Sequence, residues 1–452
     1  VVANKLGYGI VYNNVFDYPT PQLLAEFVTS MQKADDMVND VNDEILANTT
    51  TDDDPRAYIG EDGYDYRPLN DLLLKNTMEN FKNGERQEIG NALLTGATGF
   101  LGVHVLNELI NNYDGKIYCF VRPKDGLSGE KRLKIQLFYY FDNAYDELFG
   151  NRLFVIEGDA TNPEDLDKVD CPAQTVINCA ACVKHFAKGN EIERMNVDSV
   201  RNLITWCLAH DARLVHVSTG SVAGASVAGF PSEDHVLTEH TFFFGQNLAN
   251  QYAHSKFMAE RYILESILKD GLKAQIMRVG NLSSRNQDGE FQINFRSNNF
   301  MSTLAAYKFI GMIPFEMMNR HVELSPIDAT AHTILLLSHA PKECVVFQTN
   351  NIHFNLMGDV LHELDKYGKP IRMVESSEFS ETVNELLNNP DNIDKLRPLM
   401  AYKSDVSSVV KLKYDGSYTS QILYRMGYCW PITTWDYVQR FLSAIATLGF
   451  FD

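Results

Sequence analysis

Asn91-Ala-Leu-Leu-Thr-Gly-Ala-Thr-Gly-Phe-Leu-Gly102 carries an apolar stretch into three spaced glycines, Gly96, Gly99 and Gly102. An apolar strand that passes through such a turn into a helix brings backbone N–H groups and a helix N-terminus up to a diphosphate. The first glycine makes the tight turn, the second lets a phosphate approach, and the third lets the helix pack closely on the strand. An ordinary glycine turn has the same letters, so the flanking chain has to decide.

Downstream, short apolar runs alternate with helical patterns. The candidate strands are 92–95, 117–121, 153–157, 175–179, 214–218 and 275–279. This alternation predicts an α/β fold, a doubly wound parallel Rossmann sheet with helices on both faces and ligands at the carboxyl ends of the strands. Beyond Arg285 the rhythm breaks. Helical patterns dominate from Phe300 and again from Met357, and 344–348 is the single further strand expected. The expected organisation is a dinucleotide-binding Rossmann unit over 89–285 plus 321–350 and a smaller, mostly helical unit over 286–320 plus 351–452.

Composition narrows the function. The 452 residues are too many for one core, and the 45% apolar share is ordinary for a globular chain. A net charge of −19 argues against a nucleic-acid partner, which needs clustered Lys and Arg. Seven scattered cysteines read as reduced thiols, and Cys179-Ala-Ala-Cys182, at the end of an apolar run, reads as structural rather than redox-active. No apolar run reaches the ~18 residues of a membrane span and the start has no signal-peptide pattern, so a cytoplasmic setting without a membrane partner is expected.

Ahead of the glycine stretch, Thr20 and Pro21 are placed to open a helix with Leu23, Leu24, Phe27 and Val28 on one face. Residues 33–57 are rich in Asp, Asn and Thr and read as an acidic linker. Periodicity returns over 58–90, around Leu69, Leu72, Leu73, Leu74 and Phe81, and predicts a lead-in helix packed on the following unit.

Chemistry enters at three places. Arg122 ends the second candidate strand, 26 residues after Gly96. An acidic residue in that region would hold a ribose 2′-hydroxyl, whereas an arginine neutralises a 2′-phosphate, which favours NADPH over NADH. Lys131-Arg132 offers a second positive group or a solvated helix face, and Asp159 offers an adenine contact or a helix cap. The third place joins Ser218-Thr219, at a strand end, to Tyr252 and Lys256, at i and i+4 on one helix face. A lysine ammonium there is expected to favour the Tyr252 phenolate and lower its pKa. With the glycine turn and the strand-end hydroxyl in order before it, this pair reads as catalytic.

Thr95-Gly-Ala-Thr-Gly-Phe-Leu-Gly102, Asn178-Cys-Ala-Ala181, His216-Val-Ser-Thr219 and Tyr252-x-x-x-Lys256 resemble, in this order, the extended short-chain dehydrogenase/reductases. More narrowly, Phe120-Val-Arg-Pro123, Cys179-Ala-Ala-Cys-Val183, Arg278-Val-Gly-Asn281 and Glu323-Leu-Ser-Pro-Ile-Asp328 resemble the thioester reductase domains that terminate nonribosomal peptide synthetases, polyketide synthases and carboxylic acid reductases. Residues 1–30, with Phe16-Asp-Tyr-Pro-Thr20, resemble the last helices of a carrier protein. The family's phosphopantetheine-bearing serine would fall before Val1, so the resemblance implies a carrier remnant that cannot itself be loaded.

The resemblance implies that Gly96, Thr98, Gly99, Phe100, Leu101 and Gly102 cradle the NADPH diphosphate and that Arg122 and Arg132 hold the 2′-phosphate. Asp159, Ala160, Ala180, Ala181 and Asn281 would line the dinucleotide. Thr219, Tyr252 and Lys256 would form the catalytic triad, with Tyr252 and Lys256 also touching cofactor. No metal is implied. The reaction implied is reductive release of a phosphopantetheine-linked acyl or peptidyl thioester as an aldehyde or, after a second hydride, an alcohol. Phe242-Phe-Phe-Gly245 is a candidate substrate-side lid. A sugar-nucleotide epimerase or dehydratase, and a non-catalytic NADP-binding regulator, remain open alternatives.

Overall fold

A computed structural model describes residues 55–183, 190–225, 235–295, 298–367, 370–399 and 413–450. The carrier-like segment 1–30 and the linker up to residue 54 lie outside the described residues.

Seven parallel strands form the central sheet: β1 (Ala92–Thr95), β2 (Ile117–Val121), β3 (Leu153–Glu157), β4 (Thr175–Asn178), β5 (Arg213–Thr219), β6 (Ala274–Val279) and β7 (Val346–Thr349). Their order is β7-β6-β5-β4-β1-β2-β3. The order reverses between β1 and β4, which opens the crevice where such sheets bind ligands. Strands buried on both faces read as continuous apolar runs, and the fold expectation holds for that reason. The ends differ by a residue or two: β4 stops at Asn178, β5 extends to Thr219, and β7 is shifted to Val346–Thr349.

Two short helices, α1 (Arg67–Leu73) and α2 (Met78–Asn83), replace the expected single lead-in helix. The break falls where Thr77 takes extended backbone and its side chain accepts from Asn80 N–H, starting a new helix. One sheet face carries α3 (Phe100–Asn112), α4 (Gly129–Phe141) and the later helix Ile327–Leu337. The other carries α1, α5 (Ser199–Ala209) and α6 (Gln251–Asp270).

Phe242, Phe243 and Phe244 are buried in that second core, where Phe242 stacks on Phe257 and Phe243 on Tyr66. They are packing residues and not a lid. The aromatic run satisfies burial, not mobility. A third core gathers Phe291, Phe295 and apolar residues of Asn299–Ile310, Met357–Leu364 and Trp435–Thr447. This part is less purely helical than expected, because short strand pairs join Met312–Pro314 to Arg372–Val374 and His321–Glu323 to Phe354–Leu356.

Candidate active site

The turn after β1 is built by close backbone approach. Gly96 has φ +74°, and a Cβ on it would lie 2.6 Å from Ala180 N, at the end of β4. A Cβ on Gly102 would lie 2.1 Å from Gly96 O, so no larger residue fits without moving the turn. Gly99 caps α3 with no side-chain acceptor, which leaves the helix's first N–H groups without side-chain caps. Phe100 turns its ring to Phe291 and Tyr140, and Leu101 is buried in the core. Those two therefore offer a ligand backbone, not side chains.

Arg132 links the turn to the end of β2. One guanidinium nitrogen donates to Arg122 O and the other to Thr98 Oγ1 at 3.3 Å. Arg122 pairs with Asp159 at 3.3 Å, and their side chains are 50% and 33% exposed. Burial pushes the Asp159 carboxyl up, but the Thr161 N–H and Arg122 more than offset it and hold it below the usual range. Ala160 O accepts from Asn202. Ala180 and Ala181 follow β4, and Ala180 N–H donates to Asn178 Oδ1. Asn281, just beyond β6, donates its side-chain amide to Glu323 O at 3.3 Å.

At the other end of the row, β5 finishes in Thr219 and α6 begins opposite it. Asn250 caps α6 by accepting from Ala253 N–H at 3.0 Å, so Tyr252 stands in the first turn. Its hydroxyl is hydrogen-bonded with Thr219. Lys256, 1% exposed, donates to Val217 O at 2.7 Å and lies 3.2 Å from His216 Nε2. One turn on, Glu260 receives Arg278 through both carboxylate oxygens, the shortest contact being 2.8 Å, and Ser218 Oγ donates to it. Thr219 thus lies at the carboxyl end of β5, with Tyr252 and Lys256 in the first turns of α6.

Electrostatics depart from the expectation drawn from helical spacing. Burial pushes Tyr252 up to about 12, and the Thr219 hydrogen bond only partly opposes this. Burial pushes Lys256 down to about 8. The lysine does not lower the phenol because its nitrogen is turned to Val217 O and His216, and burial disfavours both charged forms. Tyr252 is a proton-bearing phenol here.

Sequence reasoning did not assign Asn178, His216, Glu260 or Arg278 to the site. A signal existed: His216 and Ser218 are polar residues two apart in a fully buried strand, so they share the face toward α6. All seven cysteines are free thiols, Cys179 and Cys182 among them. Among the described residues no helix is long and apolar enough to cross a membrane.

This geometry has counterparts in known proteins. The family model for the NAD-binding male sterility protein matches residues 94–334. The chain belongs to this family. It is a terminal reductase domain of the extended short-chain dehydrogenase/reductase superfamily, and so a nicotinamide-dependent oxidoreductase whose kin work with carrier proteins.

A thiolation-reductase di-domain from an archaeal nonribosomal peptide synthetase is 34% identical, with TM-score 0.79 over 100% of this chain and 90% of that one. The aureusimine cluster reductase domain is 26% identical, with TM-score 0.69 over 85% of this chain and 99% of that one. One of the polypeptides of the linear gramicidin synthase of Brevibacillus parabrevis is 25% identical over 75% of this chain. The chain spans 7% of that polypeptide, and under a third of other curated relatives.

Proposed function

We propose that this reductase domain releases a carrier-bound acyl or peptidyl thioester as an aldehyde, using NADPH. The observation that carries the reading is Thr219 and Tyr252 hydrogen-bonded at the end of β5, with Lys256 one turn along α6, in a sheet whose β1 turn excludes any side chain at Gly96 and Gly102. The residues present fit the cofactor. The glycine turn and the α3 N-terminus suit its diphosphate, and the partly exposed Arg122 with Arg132 suits a 2′-phosphate, favouring NADPH over NADH.

NADPH held there would supply a hydride for the thioester carbonyl carbon. Tyr252, protonated at neutral pH, gives its hydroxyl proton to the oxygen that gains the electron pair, while Thr219 holds that oxygen by a second hydrogen bond. The resulting hemithioacetal breaks its C–S bond and passes its hydroxyl proton to sulfur, freeing the carrier thiol and the aldehyde, and Tyr252 regains a proton from solvent. Lys256 would hold the nicotinamide ribose. The relative that contains a thiolation domain spans all of this chain, which supports reading residues 1–30 as carrier-derived and a phosphopantetheine arm as the substrate's handle. Residues 286–320 and 351–452 would form the acyl pocket and the carrier-docking surface.

Incubation with NADPH and an acyl-pantetheine thioester tests the reading. NADPH oxidation with appearance of an aldehyde, trapped by a hydrazine, is expected. No oxidation there, with turnover of a nucleotide sugar, sinks it.

A further inference from the structure

Shortly after β7 the chain forms a short strand, Phe354–Leu356, paired antiparallel with His321–Glu323. Asn351 and Asn355 are buried, whereas Ile352, Phe354 and Leu356 are 41%, 53% and 39% exposed among the described residues. Residues directly opposite in an antiparallel pair turn their side chains to one face. His321 with Leu356, and Glu323 with Phe354, therefore share the exposed face, and the His321 ring lies on Phe354 with centroids 5.4 Å apart. Val322 and Asn355 share the buried one. The ribbon is held from behind: Asn355 donates to Thr433 O at 2.7 Å, and Asn351 donates to Leu324 O at 3.0 Å. Its apolar side chains are thus presented outward on a fixed support, where covering them would gain free energy.

The same face leads to the catalytic strand end. Glu323 accepts from Asn281 N–H, and a Cβ on Gly280 would lie 2.3 Å from Glu323 Oε2, so the carboxyl lies against the turn that leaves β6. Gly280 follows Val279, the register partner of Thr219. From Thr219 through Gly280 and Glu323 to Phe354, each step is between direct neighbours. None of the face's five residues is Lys or Arg, so it offers no cation to the phosphate of a phosphopantetheine arm. Glu323 stands at its inner end and disfavours an acyl chain that ends in a carboxylate. What remains for the face to bury is hydrocarbon.

We propose that Ile352, Phe354 and Leu356 seat the acyl part of the thioester and select apolar, uncharged chains, a substrate class that rests on the reductive reading of the site. Continuity with Thr219 favours this occupant over a second copy of the chain or the body of a carrier.

The test uses decanoyl and acetyl pantetheine analogues in which nitrogen replaces the thioester sulfur, so that binding is read by calorimetry without turnover, in the presence of NADP⁺. The residues are exposed, so polar replacements leave the fold intact. In Phe354→Ser/Leu356→Ser the Kd of the decanoyl amide should rise about tenfold or more, and that of the acetyl amide far less. Equal shifts for the two amides overturn the proposal. So does an unmoved decanoyl Kd, and three further readouts then name the true occupant. Lower stability in urea means that another part of this chain covers the face, loss of self-association in sedimentation means a second copy, and a defect confined to carrier-borne thioesters means carrier docking. Wild-type protein that binds the decanoyl amide with this dependence but oxidises no NADPH on the decanoyl thioester would remove the reductive reading and leave the apolar seat. Turnover without that dependence would remove the seat alone.

Discussion

The row of strand ends has two unlike halves. Along β1, β2 and β3 the ligand-facing surface is backbone and exposed charge: the glycine turn, and Arg122 and Asp159 at side-chain exposures of 50% and 33%. Along β5 and β6, by contrast, Thr219, Lys256, Glu260 and Arg278 are all buried. Exposed charge in high dielectric is worth little in stability and serves recognition, whereas buried charge must be paired or surrendered. Within the buried half the two cases stand one helical turn apart on α6: Glu260 is ion-paired with Arg278, while Lys256 meets a carbonyl and an imidazole and burial pulls it down to about 8.

The strongest way to break this contrast is to unpair the buried ion pair. Arg278→Met leaves the Glu260 carboxylate uncompensated and should cost about 3–5 kcal/mol in urea unfolding. Replacing both residues by apolar ones should restore much of that stability, since the desolvated pair itself adds little. A single variant that unfolds like the wild type would mean that the buried half is wetter than its geometry implies.

Next in size is Tyr252→Phe. Removing one donor to a developing oxyanion should lower kcat about 10²–10³-fold, with unfolding little changed because the ring is retained. Unaffected reduction would remove Tyr252 from the chemistry even if the thioester substrate is right.

The legibility of the two halves differs for the same reason. The glycine turn, Arg122 and the Tyr252–Lys256 spacing are local patterns, and local patterns can be read from one stretch of chain. Which groups face one another across β4, β5 and α6 depends on register between residues as distant as Asn178 and His216, and no local period records it. Burial was the other hidden quantity. It turned Phe242–Phe244 from a supposed lid into core, and it pushed Tyr252 up where helical spacing beside a lysine had implied the reverse. The seven strands were legible because parallel strands covered on both faces leave uninterrupted apolar runs.

A third measurement probes the buried lysine, whose charged form burial weakens. Lys256 is pulled from 10.5 to about 8, so between those values the unfolded chain binds more protons than the folded one. Stability relative to a Lys256→Met control should therefore rise by ~3 kcal/mol as pH climbs from about 8 to 10.5, and hold constant below that window. A falling difference would mean that Lys256 has an anionic partner in the folded state.

The smallest effect belongs to the exposed half. Arg122→Ala leaves the fold and the Tyr252 chemistry untouched, because the guanidinium is half-exposed and its pair with Asp159 is a surface pair. It removes one positive group from the place where a 2′-phosphate would sit, with Arg132 still held there by Arg122 O and Thr98 Oγ1. The KM for NADPH should rise about tenfold, equivalent to ~1.4 kcal/mol, while NADH turnover and urea unfolding stay as in the wild type. If NADH suffers equally, the arginine supports the glycine turn and does not read the phosphate. The exposed half would then owe its selectivity to Arg132, whose replacement should produce the same split between the two cofactors.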